Sequence, residues 1–200
     1  MIKIETLDHN GRGIGRLNNK VVFVKNALPN ETVEIKITNE KKNFIEAEVT
    51  KYIKTSSDRL DIKCPYYNEC GGCDLLHTSY NNQLEFKKNK IVNIVNKYLN
   101  NNIQINDIVK SDNEFNYRNK VTFHVNNDIG FFKDKTNNIV KIDNCLLINN
   151  KINDCINDLN KLDLKYINEI ICRTGSNKLM IIINSKKDID ISPIKDIANS

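Results

Sequence analysis

A cluster of cysteines is the feature that most constrains the fold of this 200-residue chain. Cys64, Cys70 and Cys73 fall within ten residues, and Cys145 lies far downstream. Two thiols separated by two residues can bind one metal centre, because a short turn directs both sulfurs to the same point. The pair Gly71–Gly72 lets the backbone pass close to such a centre, since glycine has no Cβ. The set fits zinc or an iron–sulfur cluster, and the spacing does not distinguish the two.

Disulfides or inert buried thiols are the alternative interpretation of these cysteines. The N-terminus contains an acid at Glu5 and no apolar signal core, and no later run is long enough to span a membrane. We therefore expect a cytoplasmic protein, in which thiols stay reduced and clustered cysteines bind metal. Cys155 and Cys172 lie in apolar periodic segments and are predicted to pack in a core. His77 could add a ligand, but four cysteines already fill the site, so we expect a packed or hydrogen-bonded histidine.

The first 55 residues predict a small β-barrel. Val33, Ile35 and Ile37 alternate with polar residues, which is the period of a half-buried strand. Short strands with polar turns between them are predicted at Ile2–Leu7, Lys20–Val24, Val33–Thr38 and Phe44–Ile53. Four or five such strands in so short a stretch are typical of an OB-type barrel.

A glycine-rich turn lies at Asn10–Arg16. Its spacing resembles a dinucleotide-binding loop, but no helix follows to hold a pyrophosphate, which excludes that function. A barrel loop that brings Arg12 and Arg16 to a phosphate backbone and a simple solvated hairpin remain equally open. The net charge of +5 is compatible with a nucleic-acid partner and equally with an ordinary solvated surface.

The rest of the chain predicts mixed secondary structure. A helix begins near Tyr80 with Thr78 or Ser79 as its cap, and its lysines indicate a solvated face. From residue 103 the pattern becomes α/β and ends abruptly, as though the chain stops partway through a domain. The predicted elements are a meander of Val121–Val125, Ile129–Phe132 and Ile139–Val140, a helix at Asn149–Leu162, a hairpin of Ile167–Cys172 and Leu179–Ile183 over Thr174–Asn177, and a last helix from Ser192.

Several motifs occur together in the order found in one family. They are Asn10–Arg16, Val24–Glu31, Cys64–His77, Gln83–Lys87, Phe115–Lys120, Gly130–Phe132 and Ile142–Cys145. With these motifs the chain resembles the N-terminal half of bacterial 23S rRNA uracil-C5 methyltransferases, which use S-adenosylmethionine to make 5-methyluridine in RNA. The resemblance runs over essentially all 200 residues.

The resemblance implies an α+β fold in three parts. Residues 1–56 would form a TRAM barrel of OB-like fold, residues 57–78 an iron–sulfur segment, and residues 79–200 an incomplete α/β central domain. No Rossmann-like domain for S-adenosylmethionine is expected in this chain, so that cofactor is expected only in the full-length family. The implied [4Fe–4S] cluster has four ligands, namely Cys64, Cys70, Cys73 and Cys145.

The resemblance also implies RNA, specifically 23S rRNA, as the partner of a monomer that contacts no membrane. Barrels of this type offer basic grooves and stacking surfaces to looped RNA. The candidate contacts are Arg12, Arg16, Lys20, Lys25, Lys41, Lys42, Arg118 and Lys120.

No catalytic residue can be assigned from the resemblance. The family's nucleophile is a cysteine that attacks C6 of uracil, a covalent step that activates C5. Cys155 and Cys172 lie too early and in the wrong surroundings for that role. We therefore expect that these 200 residues do not methylate RNA. The alternatives are a non-enzymatic RNA-binding module with structural zinc or an iron–sulfur site, and a redox sensor.

Overall fold

A computed structural model describes residues 1–99, 103–176 and 178–199. The chain divides into two compact units, each built from two stretches of sequence. The first unit comprises Met1–Ile62 and Asp74–Lys110, and the second comprises Lys63–Cys73 and Ser111–Ser200. The domain boundaries predicted from the sequence stay predictions.

The first unit contains the predicted barrel. Its six strands are β1 (Ile2–Lys3), β2 (Thr6–Leu7), β3 (Gly13–Leu17), β4 (Lys20–Lys25), β5 (Thr32–Glu40) and β6 (Phe44–Lys54). They form one sheet in the order β1-β5-β6-β4-β3-β2, in which β4 and β6 are parallel and the other pairs antiparallel. The sheet curls, so that the amide of Glu5, just after β1, donates to the carbonyl of Ile14 in β3 at 2.8 Å. The core is apolar and includes Ile4, Val22 and Val33.

A buried ion pair fixes the linker after the barrel. Glu31 is fully buried, and its carboxylate accepts hydrogen bonds from Arg59 Nε at 2.5 Å and Arg59 Nη2 at 2.8 Å. The same carboxylate accepts from the backbone amides of Leu28 at 2.8 Å and Ser56 at 3.2 Å. The Arg59 guanidinium also stacks 4.2 Å above the ring of Tyr52. Residues 55–59, where the predicted barrel passes into the predicted iron–sulfur segment, are therefore held by a charged core interaction.

Helix α1 (Tyr80–Tyr98) follows in the first unit, at the predicted place. The Ser79 side chain caps it by accepting from the amide of Asn82 at 3.3 Å. Leu84 is its buried residue. Among the described residues, no helix is long and apolar enough to cross a membrane.

The second unit is a five-stranded sheet with two helices. The elements are β7 (Lys120–Asn126), β8 (Asp128–Phe132), β9 (Ile139–Lys141), α2 (Asn150–Leu159), β10 (Ile167–Gly175), β11 (Lys178–Ser185) and α3 (Ser192–Asn199). The strand order is β11-β10-β7-β8-β9, and every neighbouring pair is antiparallel. The core lies on the helix side of the sheet, where Phe123 and Ile170 of the strands pack with Ile152 and Ile156 of α2. In the predicted hairpin turn, Asn177 lies outside the described residues.

The predicted fold class is wrong for this unit. We expected an incomplete α/β central domain, although the meander and the hairpin predicted within it are antiparallel. Instead, the connection through α2 returns β10 beside β7 in the antiparallel direction. The helices therefore cover one face of an antiparallel sheet, and the described strands of this unit form no parallel pair.

Candidate metal centre and nucleic-acid interface

The four predicted ligands line a single cavity in the second unit. Cys64, Cys70, Cys73 and Cys145 all contribute to its wall, and the cavity has a volume of about 210 Å³. We refer to it as the thiol cavity. Its remaining wall is largely aromatic and apolar, with Arg118 as its cation. The structure therefore brings together residues separated by more than 70 positions, and their role as metal ligands stays a prediction.

Hydrogen bonds attach the cysteine segment, residues 63–73, to the end of β8. The amide of Gly71 donates to the carbonyl of Phe132 at 3.0 Å, and the amide of Asp134 donates to the carbonyl of Glu69 at 3.3 Å. A Cβ at position 71 would lie 3.1 Å from the Cα of Asp134 and 3.2 Å from the Phe132 oxygen. Glycine at position 71 therefore permits the close approach between this segment and the β8 end.

The fourth cysteine is held by a side-chain clamp. The Asn153 side chain of α2 accepts from the amide of Cys145 at 3.0 Å and donates to its carbonyl at 3.0 Å. On the other wall, the hydroxyl oxygen of Tyr66 accepts from the amide of Asp143 at 3.1 Å. Tyr66 therefore ties the cysteine segment to the loop of Cys145. Sequence reasoning missed both roles. Tyr66 lies inside the cysteine motif, which was a usable signal, whereas nothing marked Asn153 in an asparagine-rich chain.

The neighbouring thiols disfavour the ionised form of Cys70 and Cys73. Burial raises the pKa of Cys70, and burial raises the pKa of Cys73 to about 12. The other thiols of the cavity raise both pKa values further, and Arg118 opposes them. Burial therefore favours the protonated form of Cys70 and Cys73, and a positive centre beside them would favour their thiolates.

The sulfurs do not converge on a single ion. Among the described side chains, no three of Cys, His, Asp or Glu are arranged to hold one metal ion. The four thiols line the wall of one cavity, and this set of donors suits either zinc or an iron–sulfur cluster.

The remaining candidates for the metal centre lie elsewhere. Cys155 and Cys172 are buried in the core of the second unit, where their side chains form a hydrogen bond. His77 is fully buried in the first unit, and burial lowers its pKa to about 4. These positions agree with packing roles for all three residues.

Two of the predicted RNA contacts in the barrel are engaged in ion pairs. Arg12 pairs with Asp8 and Glu46, each at 2.8 Å, and stacks 4.5 Å above the ring of Phe23. Lys20 pairs with Glu40 at 2.7 Å. The charge of Arg12 is thus balanced within the barrel. Its contact with RNA stays a prediction, as does that of Lys20.

The other predicted RNA contacts differ in exposure. Arg16, Lys41 and Lys42 are exposed on the barrel, and Lys25 is half-buried. In the second unit, Arg118 lines the thiol cavity and Lys120 is exposed at the start of β7. The structure therefore places Arg118 beside the cysteines of the thiol cavity.

Comparison with known proteins defines the class. Residues 1–50 match the TRAM domain, which makes the barrel a member of that domain family. The fold of the whole chain resembles the crystal structure of a Pyrococcus abyssi tRNA (uracil-54, C5)-methyltransferase in complex with S-adenosyl-L-homocysteine. The TM-score is 0.74 at 21% identity, over 98% of this chain and 48% of that chain. That likeness covers almost the whole chain and so includes the second unit, for which the expected α/β domain is wrong.

Relatives in sequence identify the family. A 23S rRNA (uracil(1939)-C(5))-methyltransferase RlmD of Legionella pneumophila is 32% identical over 196 residues, which are 92% of this chain and 44% of that protein. The RlmD of Shewanella amazonensis is 34% identical over 162 residues, 78% of this chain and 37% of that protein. An uncharacterized RNA methyltransferase of Aquifex aeolicus is 37% identical over 171 residues, 84% of this chain and 40% of that protein.

The chain is therefore homologous over most of its length to 23S rRNA uracil-C5 methyltransferases, which confirms the resemblance seen in the sequence. The chain spans less than half the length of these relatives.

Proposed function

We propose that this chain binds 23S rRNA and holds a [4Fe–4S] cluster as part of an enzyme that transfers a methyl group from S-adenosylmethionine to C5 of uracil. The observation that carries the proposal is the homology to two RlmD proteins over 162 and 196 residues. The TRAM barrel supports the RNA partner, and a cytoplasmic location follows from that substrate.

The residues of the thiol cavity fit an iron–sulfur cluster. Four thiols line one cavity, and a positive centre there would offset the raised pKa values of Cys70 and Cys73. Cys64, Cys70, Cys73 and Cys145 would hold the cluster. When bound, such a cluster would link the cysteine segment to the Cys145 loop and so shape a surface for RNA. Asn153 and Tyr66 would orient the two loops.

Metal analysis of anaerobically purified protein tests this assignment. We expect a brown sample with about four irons per chain. Cys145→Ser should lose the iron, whereas Cys172→Ala, which removes a core cysteine outside the cavity, should keep it. One zinc in a colourless sample would instead support the alternative, a non-enzymatic RNA-binding module with a structural zinc.

RNA binding is tested with a fragment of 23S rRNA by fluorescence anisotropy across salt concentrations. Arg16→Gln and Lys41→Gln should weaken binding and each reduce the salt slope by about 0.7 if they contact phosphates of single-stranded RNA. Lys195→Gln, on helix α3, is the matched control. An RNA affinity that changes neither with salt concentration nor in the barrel variants would contradict the proposal.

Methyl transfer is a separate test. No catalytic residue was assigned in these 200 residues, so we expect no transfer of label from S-adenosylmethionine to unmodified 23S rRNA. Labelled product from the chain alone would overturn that expectation.

A further inference from the structure

The sheet of the second unit has one face without a helix. Side chains alternate along each strand, and Val121, Phe123, Ile170 and Cys172 point into the core with the helices. The opposite side chains form what we call the outer face. Its members include Lys120, Thr122, His124, Phe132, Glu169, Ile171, Arg173, Lys178, Met180 and Ile182.

Apolar side chains are exposed at the β11 edge of the outer face. Met180 and Ile182 of β11 are 55% and 47% exposed. Ile182 lies opposite Ile171 of β10, so the two form a continuous apolar strip across the strands. A strip of this kind can contribute apolar contacts to a binding surface.

Two like charges lie directly opposite each other beside this strip. Arg173 of β10 pairs in register with Lys120 of β7, and both side chains are exposed. Neither forms an ion pair within the described part of the chain. Like charges in directly opposed positions destabilise a sheet. Their placement is therefore explained best by an anion that binds both.

An aromatic pair lies on the same face at β7 and β8. The rings of His124 and Phe132 stack with centroids 3.8 Å apart at 14°. Oε1 of Glu169 lies 3.3 Å from Nδ1 of His124, and this contact orients the imidazole ring. Phe132 is 37% exposed, and because Phe132 and His124 also line the thiol cavity, the exposed part of the ring borders that cavity. A fixed flat ring of this kind can stack with a base at little entropic cost.

We propose that the outer face binds a single-stranded segment of RNA, with a base stacked on Phe132 and phosphates held by Arg173 and Lys120. The inference rests on the proposed RNA-binding function and names a second surface for it, separate from the barrel. Exposed antiparallel sheets that carry aromatic rings and cations bind unpaired bases in this way. The opposed cations favour a polyanion over an apolar protein segment.

Four variants of the full chain test the proposal with a short fluorescent single-stranded RNA. Phe132→Leu keeps an apolar side chain but loses the ring face, so binding should weaken about 5- to 150-fold. Phe132→Tyr keeps the ring and should bind like the wild type. Arg173→Gln should reduce the salt slope by about 0.7. Lys195→Gln, which changes an exposed lysine on the helix side, should change neither quantity.

Additional measurements separate binding from folding. The carbonyl of Phe132 accepts from Gly71, so each Phe132 variant is checked by circular dichroism and thermal melting. Arg173 is exposed, which makes Arg173→Gln the variant least able to disturb the fold. A fluorescent base analogue in the RNA should be quenched by the wild type and the Tyr variant, and not by the Leu variant.

The outcomes distinguish this inference from the proposed function. If the wild type fails to bind RNA at all, the proposed function fails as well. If the wild type binds RNA in a salt-dependent way while Phe132→Leu and Arg173→Gln bind equally well, the outer face is not the site and only this inference is overturned. A change of oligomeric state in Met180→Ser, with unchanged RNA binding, would assign the face to a protein contact and overturn it too.

Discussion

Replacing Glu31 with glutamine should remove a large part of the first unit's free energy of unfolding. One carboxylate accepts hydrogen bonds from four donors there. Two are the Nε and Nη2 groups of Arg59, and two are the backbone amides of Leu28 and Ser56. The carboxylate is fully buried, and the Arg59 side chain is 14% exposed. No solvent is available to replace a lost acceptor at Glu31.

The magnitude follows from the acceptors that remain. Glutamine keeps one oxygen and turns the other position into a donor, so about two of the four hydrogen bonds are lost. Hydrogen bonds to a charged group contribute about 1.5–3 kcal/mol each, and breaking a buried ion pair from one side costs about 3–5 kcal/mol. The first route gives a loss of about 3–6 kcal/mol and the second about 3–5 kcal/mol in the free energy of unfolding. That is a large part of the roughly 5–15 kcal/mol that stabilises a typical domain.

Urea denaturation followed by tyrosine fluorescence measures this loss, since the chain has seven tyrosines and no tryptophan. Tyr52, which stacks on Arg59, lies in the affected region. Glu48→Gln is the matched control, because it makes the same chemical change at an exposed position of β6 and should alter stability by less than about 0.5 kcal/mol. The double variant Glu31→Leu with Arg59→Met should recover only part of the loss, since the amides of Leu28 and Ser56 still lack an acceptor.

The pH dependence gives an independent check. Burial alone would raise the pKa of Glu31, but the hydrogen bonds from Arg59, Leu28 and Ser56 outweigh it and hold the pKa below its usual value. A lowered pKa means that the contribution is complete above the unfolded-state value of about 4.3 and is lost as the pH falls through the folded-state pKa. Glu31→Gln should lack this acid transition. A loss below about 1 kcal/mol at pH 7, or an unchanged acid transition, would refute the reasoning.

Three further predictions concern other buried positions. Burial lowers the pKa of His77 to about 4, so stability should fall by as much as about 3 kcal/mol between pH 6.5 and 4, and His77→Gln should flatten that part of a stability–pH profile. A Cβ at Gly130 would lie 2.0 Å from the Val140 carbonyl oxygen, so Gly130→Ala should cost at least about 3 kcal/mol in urea denaturation, whereas Gly175→Ala, with nothing within 4 Å, should be nearly neutral. Cys172→Ala should lower stability by about 1–2 kcal/mol through lost packing, with an unchanged iron-to-protein ratio; a lost cluster would show that this thiol is a ligand.

The sequence predicted the local elements well because their signals are local. Strand alternation marked the barrel, and a capping serine marked the start of α1 at Tyr80. The clustered cysteines and the downstream Cys145 indicated four residues that line one cavity. Each of these signals is contained in a short stretch or in a recognisable motif.

The sequence did not reveal contacts that form only on folding. The α/β prediction for the second unit was wrong because β10 pairs with β7, a strand distant in sequence. The ion pairs of Arg12 with Asp8 and Glu46 were not predicted, and its RNA contact stays a prediction. No role was predicted for Glu31 or Arg59, because neither carries a local sign of burial.

The order in which the chain builds the thiol cavity has a consequence for synthesis on the ribosome. Three of its thiols lie in residues 63–73, but the wall with Cys145 and its clamp Asn153 is made about 70–80 residues later. At translation rates of about 5–20 residues per second, that interval lasts several seconds. During this time the early thiols have neither their fourth neighbour nor their apolar cover. Oxidants or competing metals present at that stage could react with the three exposed thiols. The yield of correctly assembled protein should therefore depend on the oxidants and metals present during synthesis.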